Sequence, residues 1–548
     1  MKRFKKYIFI GAASLLSASC SDFLDTTPLD ALTPSTTWQT ENDAQKFAIG
    51  CYNEWASGKN LLYMDCTSDF GYNNFPWEHF KDLGNGSMTP ASNVQDFYNY
   101  TTIRRCNTFL DNVDKITFKD ESVKKDLVGQ VRFIRAFRYF VMNYLYGGVA
   151  IIDCYDSAQE AQVPRKSEAE VRQFIHDELD TAIADLKDAP SERGRIAKGA
   201  ALALRMREAL YYDEWEVARA NAQKIIDLNL YELEPNYLKL FQVAGQSSKE
   251  IILALQYIPG TYILSLIGQM YNNGEGGWSS IVPTYNLVNL YEMLNGKTID
   301  EEGSGYDPVH PFKGRDPRMA MTIIYPGANH VRKGGEVAIY NSLDMKLADG
   351  SSNPNFMTSA SNASKTGLTW NKYLSPVTQY DDPWAANTCP IVFRYAEVLL
   401  TWAEAENELN GPSAEIYKKL NMIRNRVGMP NVDEAKYATK EALRELIHRE
   451  RGVEFAGEGI RRPDILRWKT EDGKMLAEKV LNQVLERKVG TVSNDPNMDP
   501  ELRATINVNA PAADLNVEKR TFKPFHRYFP FLQKVIDKNP NLTQNAGY

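Results

Sequence analysis

The sequence predicts a mainly α protein in which helical repeats pack against an irregular, loop-rich half. Three observations carry this. Apolar residues recur at helical spacing near both ends of the chain,. Two of the helix pairs are rich in alanine. Between those pairs, the 160 residues from Tyr231 to Pro390 lose the periodicity and fill with Gly, Asn, Pro and Ser,.

Taken in order, the chain begins with a basic segment, Lys2 to Lys6, followed by 12 mostly apolar residues, Tyr7 to Ala18. Twelve residues are too short to span about 30 Å of hydrocarbon as a helix, so the segment is expected to be an export signal. Small residues then lead into Cys20, and the polar, turn-rich stretch to Pro28 suits a tether. A helix is expected over Asn42–Ala56, followed by an irregular loop from Gly58 to Ser92 that is rich in aromatics, Gly and Asn. Helical spacing returns over Val94–Val113. It is strongest over Ser122–Tyr146, where Phe133, Phe137, Phe140, Val141, Tyr144 and Leu145 share a face and Gly147-Gly148 supplies the stop,. Ser167–Leu186 follows, with Val171, Ile175, Leu179, Ile183 and Leu186 on one stripe.

Lys198–Tyr212 and Glu214–Leu228 form a close pair joined at Asp213. Ala200, Ala201, Ala203, Ala209, Ala218, Ala220 and Ala222 would let its two helices approach closely, as in degenerate tetratricopeptide repeats,. A similar pair, Arg394–Asn407 and Ala414–Val427, carries Ala396, Ala403 and Ala405. Helices are also expected over Lys440–Ala456 and Gly473–Leu485, and an irregular tail from Thr491 onward. A 160-residue irregular segment inside a helical chain is too long for a connection, so it is expected to fold on the scaffold and carry function,.

Composition narrows the function. Removing the four basic residues Lys2, Arg3, Lys5 and Lys6 with the leader takes the basic total from 63 to 59 against 70 acidic side chains, a formal charge of −11. That excess disfavours a phosphate-backbone binder, and no nucleic-acid partner is expected. Without Cys20 the cysteines are Cys51, Cys66, Cys106, Cys154 and Cys389, with no C-x-x-C. Neither a disulfide framework nor a zinc ribbon is expected, which leaves room for one or two bridges.

The sequence holds no G-x-S-x-G, H-E-x-x-H, Walker loop, EF-hand loop or dinucleotide fingerprint,. It has only 6 His, few for histidine-based catalysis or metal binding. No catalytic residue, metal ligand or cofactor is assigned. The charged cluster from His448 to Trp468 alternates in sign at helical spacing and is read as an ion-pair network that fixes a helix against a turn, rather than as a source of catalytic acids in Glu450 or Glu454,. The loop aromatics are the candidate binding feature. Tyr63, Phe70, Tyr72, Phe75, Trp77 and Phe80 fall in the early loop; Tyr271, Trp278, Tyr285, Trp370, Tyr373, Tyr380 and Trp384 fall in the middle region. Aromatic faces stack on the apolar faces of sugar rings, and neighbouring amides such as Asn73, Asn74, Asn272 and Asn273 satisfy hydroxyls.

Five segments together resemble a known family. They are Cys20-Ser21-Asp22-Phe23-Leu24-Asp25 with Pro28; Arg132 to Phe137 leading to Leu145-Tyr146-Gly147; Phe393 to Leu400 with Ala403-Glu404-Ala405; Glu450 to Trp468; and Asn539 to Tyr548. In order and combination they resemble the RagB/SusD nutrient-binding outer-membrane lipoproteins of Bacteroidetes. Two segments depart from the family pattern, Arg462-Pro463-Asp464-Ile465 and Phe529-Pro530-Phe531, both in scaffold.

The resemblance implies a SusD-like fold of four tetratricopeptide-like units packed against a ligand-binding half. It implies lipidation at Cys20, with Asp22 as a surface-export signal, and an outer-membrane lipoprotein facing the cell exterior. It further implies a non-catalytic lid that captures oligosaccharide and presents it to a SusC-like TonB-dependent transporter. The corresponding regions are 1–19 (signal), 20–40 (tether), 41–230 (helical repeats with the early loop), 231–390 (loop-rich insertion) and 391–548 (helical region and tail). Family sites draw on the early and middle loops, so the expected ligand residues are Trp77 with Tyr72 and Asn74, and Tyr271 with Trp278. The alternatives are a peptide ligand or a surface glycoside hydrolase.

Overall fold

A computed structural model describes residues 38–155, 157–358 and 362–548. The leader, Cys20 and most of the tether lie outside the described residues. The first half carries α1 (Glu41–Cys51), α2 (Thr101–Leu110), α3 (Glu121–Tyr146), α4 (Glu168–Asp185), α5 (Lys198–Tyr211) and α6 (Trp215–Asp227). Local chemistry fixes their ends. Thr40 with Asp43 and Ser167 with Glu170 form capping boxes at α1 and α4,. Gly147 closes α3 with φ 68°, and a Cβ there would lie 2.7 Å from the Tyr528 ring, so only glycine fits,.

The second half carries α7 (Tyr395–Asn410), α8 (Ala414–Asn425), α9 (Lys440–Glu454) and α10 (Arg461–Arg467). Each helix from α3 to α6 packs on the next. α7 then takes the following place against α6 and in turn carries α8 and α9. Small side chains let α5, α6 and α7 meet, with Ala209, Ala218 and Ala405, one from each helix, in one buried cluster. Arg219 Nη1 meets Glu406 Oε2 across the α6–α7 seam at 2.6 Å, and Trp402 Nε1 donates to Gln223 Oε1 at 2.9 Å. The alanines assigned to this packing are buried except Ala220, which faces solvent.

Residues 231–390 therefore leave and rejoin one continuous array of tetratricopeptide-like helices. The two ends of this insertion are zipped together, because Ile251–Ala254 pairs antiparallel with Ile391–Arg394. Within the insertion, strands of two to four residues form separate two-stranded ladders, and short helical turns connect them.

Three expected helices are shorter than their periodicity suggests, the first being α1, which ends at Cys51 and not at Ala56. Residues 94–100 are held extended by Gln95 N–H on His79 O and Phe97 N–H on the Tyr146 hydroxyl. Beyond the turn Leu476–Val480, the Asn482 side chain exchanges two hydrogen bonds with the Phe522 backbone, at 2.8 and 2.7 Å, and draws the chain into a strand. The five described cysteines are free thiols. No described helix is long and apolar enough to cross a membrane.

The cluster around α9 and α10 is a buried ion-pair network. Arg394 donates all five of its N–H groups, to Glu250, Glu454 and Glu458 side chains and to the Glu454 carbonyl, at 2.7–2.9 Å. Arg318 pairs with Asp316, Glu450 and Glu454, and Lys372 with Glu458. Burial opposes the charge on Glu454, yet Arg426, Arg394 and Arg318 hold its carboxyl well below the usual range,. Glu450 is likewise lowered by Arg318 and Arg424. Both carboxylates stay ionised and enclosed, which is the scaffold role expected for them and not that of a general acid.

Candidate functional site

The early loop is built from Gly58–Tyr63, a 3₁₀ turn at Met64–Thr67 and the strand Gly71–Asn73. That strand pairs antiparallel with Ile281–Pro283 of the insertion, Tyr72 opposite Val282. The ladder continues with Asn74 N–H on Ser280 O at 2.8 Å. Residues about 200 positions apart in sequence thus leave one end of the same ladder together. On one side the chain runs through Phe75 to Trp77, and on the other it arrives from Trp278.

Both tryptophans are held out by the turns that carry them. Pro76–Glu78 makes a single 3₁₀ turn that ends at His79 with φ 77°. Trp77 is 62% exposed and stacks on the buried Phe75 ring, with centroids 4.4 Å apart and planes at 24°,. Glu78 is tucked beneath and accepts from Asn73 Nδ2 at 2.6 Å; the same amide reaches Ser280 O at 3.0 Å. In the middle loop, Trp278 and Ser280 both donate their N–H to Gln269 O, at 3.2 and 3.1 Å. Trp278 is 36% exposed and meets Trp384 edge-on at 4.9 Å. Trp384 lies on the short helix Leu266–Met270 at Gly268, where a Cβ would come within 2.7 Å of its ring.

The other expected ligand residues, Tyr72, Asn74 and Tyr271, are buried. Tyr72 packs with Val282 and Leu485, and its hydroxyl accepts from Lys81 Nζ at 2.9 Å. Asn74 is buried and its amide reaches Ala363 O at 3.4 Å. Tyr271 is buried and donates to Ser375 O. Of the remaining loop aromatics, Tyr63, Phe70, Phe80, Tyr285, Trp370 and Tyr373 belong to the core, and Phe70 carries the Arg461 guanidinium over its ring at 4.2 Å. Trp384 and Phe75, known from sequence only as members of a long list, turn out to hold the exposed rings. Their signal was the adjoining proline at 383 and 76, which marks a turn.

The carboxylates nearest Trp77 and Trp278 in sequence are internal, whereas Asp381 and Asp382 beside Trp384 are exposed. Glu275 is buried. Burial opposes its charge, but His330, the Lys333 N–H and Arg332 bring its carboxyl below the ordinary value. Glu78 is also buried, on Asn73. The open groups of the site are therefore aromatic faces above buried amides, with Asp381 and Asp382 at the Trp384 edge, a surface suited to flat, partly apolar rings bearing hydroxyls,.

Comparison with known proteins agrees in fold. A model of the SusD family matches residues 249–548, and one described as starch-binding associating with outer membrane matches residues 22–210. The SusD-like protein P25 of Formosa agariphila is 26% identical over 501 residues, covering 82% of this chain and 87% of that protein. A crystal structure of a SusD-like carbohydrate binding protein from Bacteroides fragilis superposes with a TM-score of 0.79 at 27% identity, covering 93% of this chain and all of the other. A laminarin binding SusD-like protein shares the fold, with a TM-score of 0.68 at 20% identity over 93% of this chain and 100% of its own. With one family model covering more than half of its length, the chain belongs to the SusD family.

Proposed function

We propose that this protein is a non-catalytic, lipid-anchored binding protein of the outer cell surface that captures oligosaccharide on Trp77 and Trp278 and delivers it to a TonB-dependent transporter. The observation that carries the reading is the 71–73/281–283 ladder, from one end of which two exposed tryptophans emerge, each leaning on a less exposed ring. Tyr72, Asn74 and Tyr271 act beneath them as fixed supports. The family's outer-membrane association and the carbohydrate-binding relative from Bacteroides fragilis support the location and the ligand class. Anchoring falls to acyl chains on Cys20, each buried CH2 contributing about 0.8 kcal/mol.

One stacked ring contributes on the order of 1 kcal/mol, so losing both tryptophans weakens binding about 30-fold. Affinity electrophoresis against a panel of neutral and acidic polysaccharides, laminarin and starch among them, is the test. The wild type is expected to be retarded by at least one polysaccharide without releasing reducing sugar, and the Trp77→Ala/Trp278→Ala variant to migrate freely. Equal retardation of the two sinks the assignment, and retention of peptides in place of every polysaccharide favours the peptide reading. Cys20→Ser is expected to move the protein from the membrane to the soluble fraction.

A further inference from the structure

A third aromatic pair lies in the hairpin that precedes the helix Leu266–Met270 and has no role in the site so far described. Tyr257 and Tyr262 flank a tight turn through Pro259 and Gly260, the latter at φ 70°. The turn is closed by Ile258 N–H on Tyr262 O and Tyr262 N–H on Ile258 O, at 2.6 and 3.0 Å. The two rings lie parallel, with centroids 5.1 Å apart and planes at 6°. Tyr257 is locked from below, its hydroxyl accepting the Gly58 N–H at 3.2 Å, in a place where a Cβ on residue 58 would collide with it. Tyr262 is 49% exposed.

This pair repeats the construction of the other two, an exposed ring seated on a better-covered one. It also borders a cavity of about 310 Å³, shared with Ile49, Asn53, Trp55 and Gln256. Gln256 is set at that wall by Arg193 Nε at 2.8 Å. The Gln256 Nε2 is taken by Ala254 O, so the cavity offers flat rings together with the Asn53 amide, a mixture that suits a sugar ring, and it has room for one,. Its position is fixed relative to the tryptophans. Leu255 N–H bonds Pro390 O and Leu264 N–H bonds Ala386 O, at 2.9 and 2.8 Å, so the hairpin is rooted in the segment that follows Trp384, which itself sits in the 3₁₀ turn Pro383–Ala385. The helix Leu266–Met270, on which Trp384 lies, begins two residues after Leu264.

We infer that Tyr262 and the cavity beneath it form an additional subsite for the same glycan chain, so that the binding face accepts a polymer longer than the two tryptophans alone can contact. This rests on the carbohydrate reading and deepens it. The flanking Ile258 and Ile263 are exposed as well and cap the outer side of the hairpin.

The test uses the full chain, the polysaccharide retained most strongly in the panel, and size-fractionated fragments of it, with affinities read by calorimetry. Wild type is expected to bind long fragments more tightly than short ones. Tyr262→Ala is expected to lose about fivefold on long fragments and nothing on the shortest that bind, since one stack is at stake. Tyr262→Phe, which keeps the ring face, is expected to behave as wild type. Trp77→Ala/Trp278→Ala loses all lengths. The Tyr262 side chain is half exposed at the base of the turn and its replacement leaves the backbone bonds that close the turn, so its variants fold, which the unchanged short-fragment affinity reports directly.

The inference is overturned by an affinity independent of length, or by a Tyr262→Ala variant equal to wild type on long fragments or weakened equally on all. It is also overturned by a dimer in sedimentation that Tyr262→Ala dissociates while leaving glycan affinity intact, because the patch would then serve a second copy of the chain. Failure of every polysaccharide in the panel instead overturns the carbohydrate reading itself, and the subsite with it.

Discussion

Replacing Arg394 by Met is expected to destabilise the protein by about 4 kcal/mol, and the figure follows from what the guanidinium holds. Its five donors engage three carboxylates and one carbonyl, all buried. Counting each charge-assisted bond at about 1.5–3 kcal/mol would give a loss approaching a whole domain's stability, which overstates the case because the carboxylates keep other partners. Glu454 retains Arg426 and Arg318, Glu250 retains Arg426, and Glu458 retains Lys372. The remaining cost is that of removing one member of a buried ionic cluster, about 3–5 kcal/mol. Near 60 °C this corresponds to a fall in Tm of roughly 4 °C if a chain of this length unfolds as one unit. Calorimetry and urea unfolding at pH 7 measure it. Adding Glu458→Gln to Arg394→Met restores the charge balance of the cluster while leaving an amide oxygen for Lys372, and should recover part of the loss. A single variant within about 0.5 kcal/mol of wild type, or a double variant no better than the single, would refute the reasoning.

Two further predictions concern Asp65, which ties the early loop to this network, and Gly268, which seats Trp384. Asp65 is buried against the Gly457 N–H, with Oδ1 unpaired; burial, opposed by the Gly457 N–H and Lys372, pushes its carboxyl up to about 7. Because the folded value lies above the unfolded one near 3.9, its protonated form favours the fold at low pH, and that contribution is lost as pH rises through 7. Asp65→Asn should therefore gain on wild type between pH 4 and pH 8, by at most about 4 kcal/mol; a stability difference that does not change with pH would contradict this. Gly268→Val should displace Trp384, since a Cβ 2.7 Å from its ring is well inside van der Waals contact,. Glycan retention is then expected to fall toward that of Trp278→Ala while Tm moves little; unchanged retention by a folded variant would show that Trp384 does not seat Trp278.

How much of this was legible in the sequence follows from the range of the interactions involved. α3, α4 and the α5–α6 pair stand within a residue or two of their expected limits, because periodicity, caps and the Gly147 stop are all local signals,. The ladders of the insertion were not legible. A strand of three residues such as Gly71–Asn73 carries too few side chains to show a period, and its partner lies some 200 residues away. The same limit governs the site. Trp77 and Trp278 could be placed in loops, but which neighbouring aromatics face solvent depends on the ladder register, so Tyr72 and Tyr271 could not be told apart from them. The charged cluster was recognisable in α9 and α10, whereas its partners Arg318, Lys372 and Glu250 sit in or at the mouth of the insertion and carry no local sign of pairing.

That distribution of partners explains how a variable binding face is joined to a repetitive scaffold. Glu250 stands at the entrance of the zipped ladder and Arg394 at its exit, opposite Ile251. Arg318 and Lys372 come from the middle of the insertion, Glu450, Glu454 and Glu458 from α9 and the turn after it, and Asp65 from the early loop touches the same turn at Gly457. The early loop, both ends of the insertion and its middle thus each deliver at least one charged or polar group to a common buried centre. Apolar packing alone tolerates a shift of register between such segments, because dispersion is non-directional, whereas a guanidinium with five satisfied donors fixes both distance and angle. On this hypothesis the network contributes position more than net stability, in keeping with the near balance of desolvation and attraction in buried ion pairs. The ladder that closes the insertion lets α6 meet α7 as if they were consecutive, so the loops beyond it can vary in length and composition without disturbing the helical array, provided that the groups returning to Arg394 are kept.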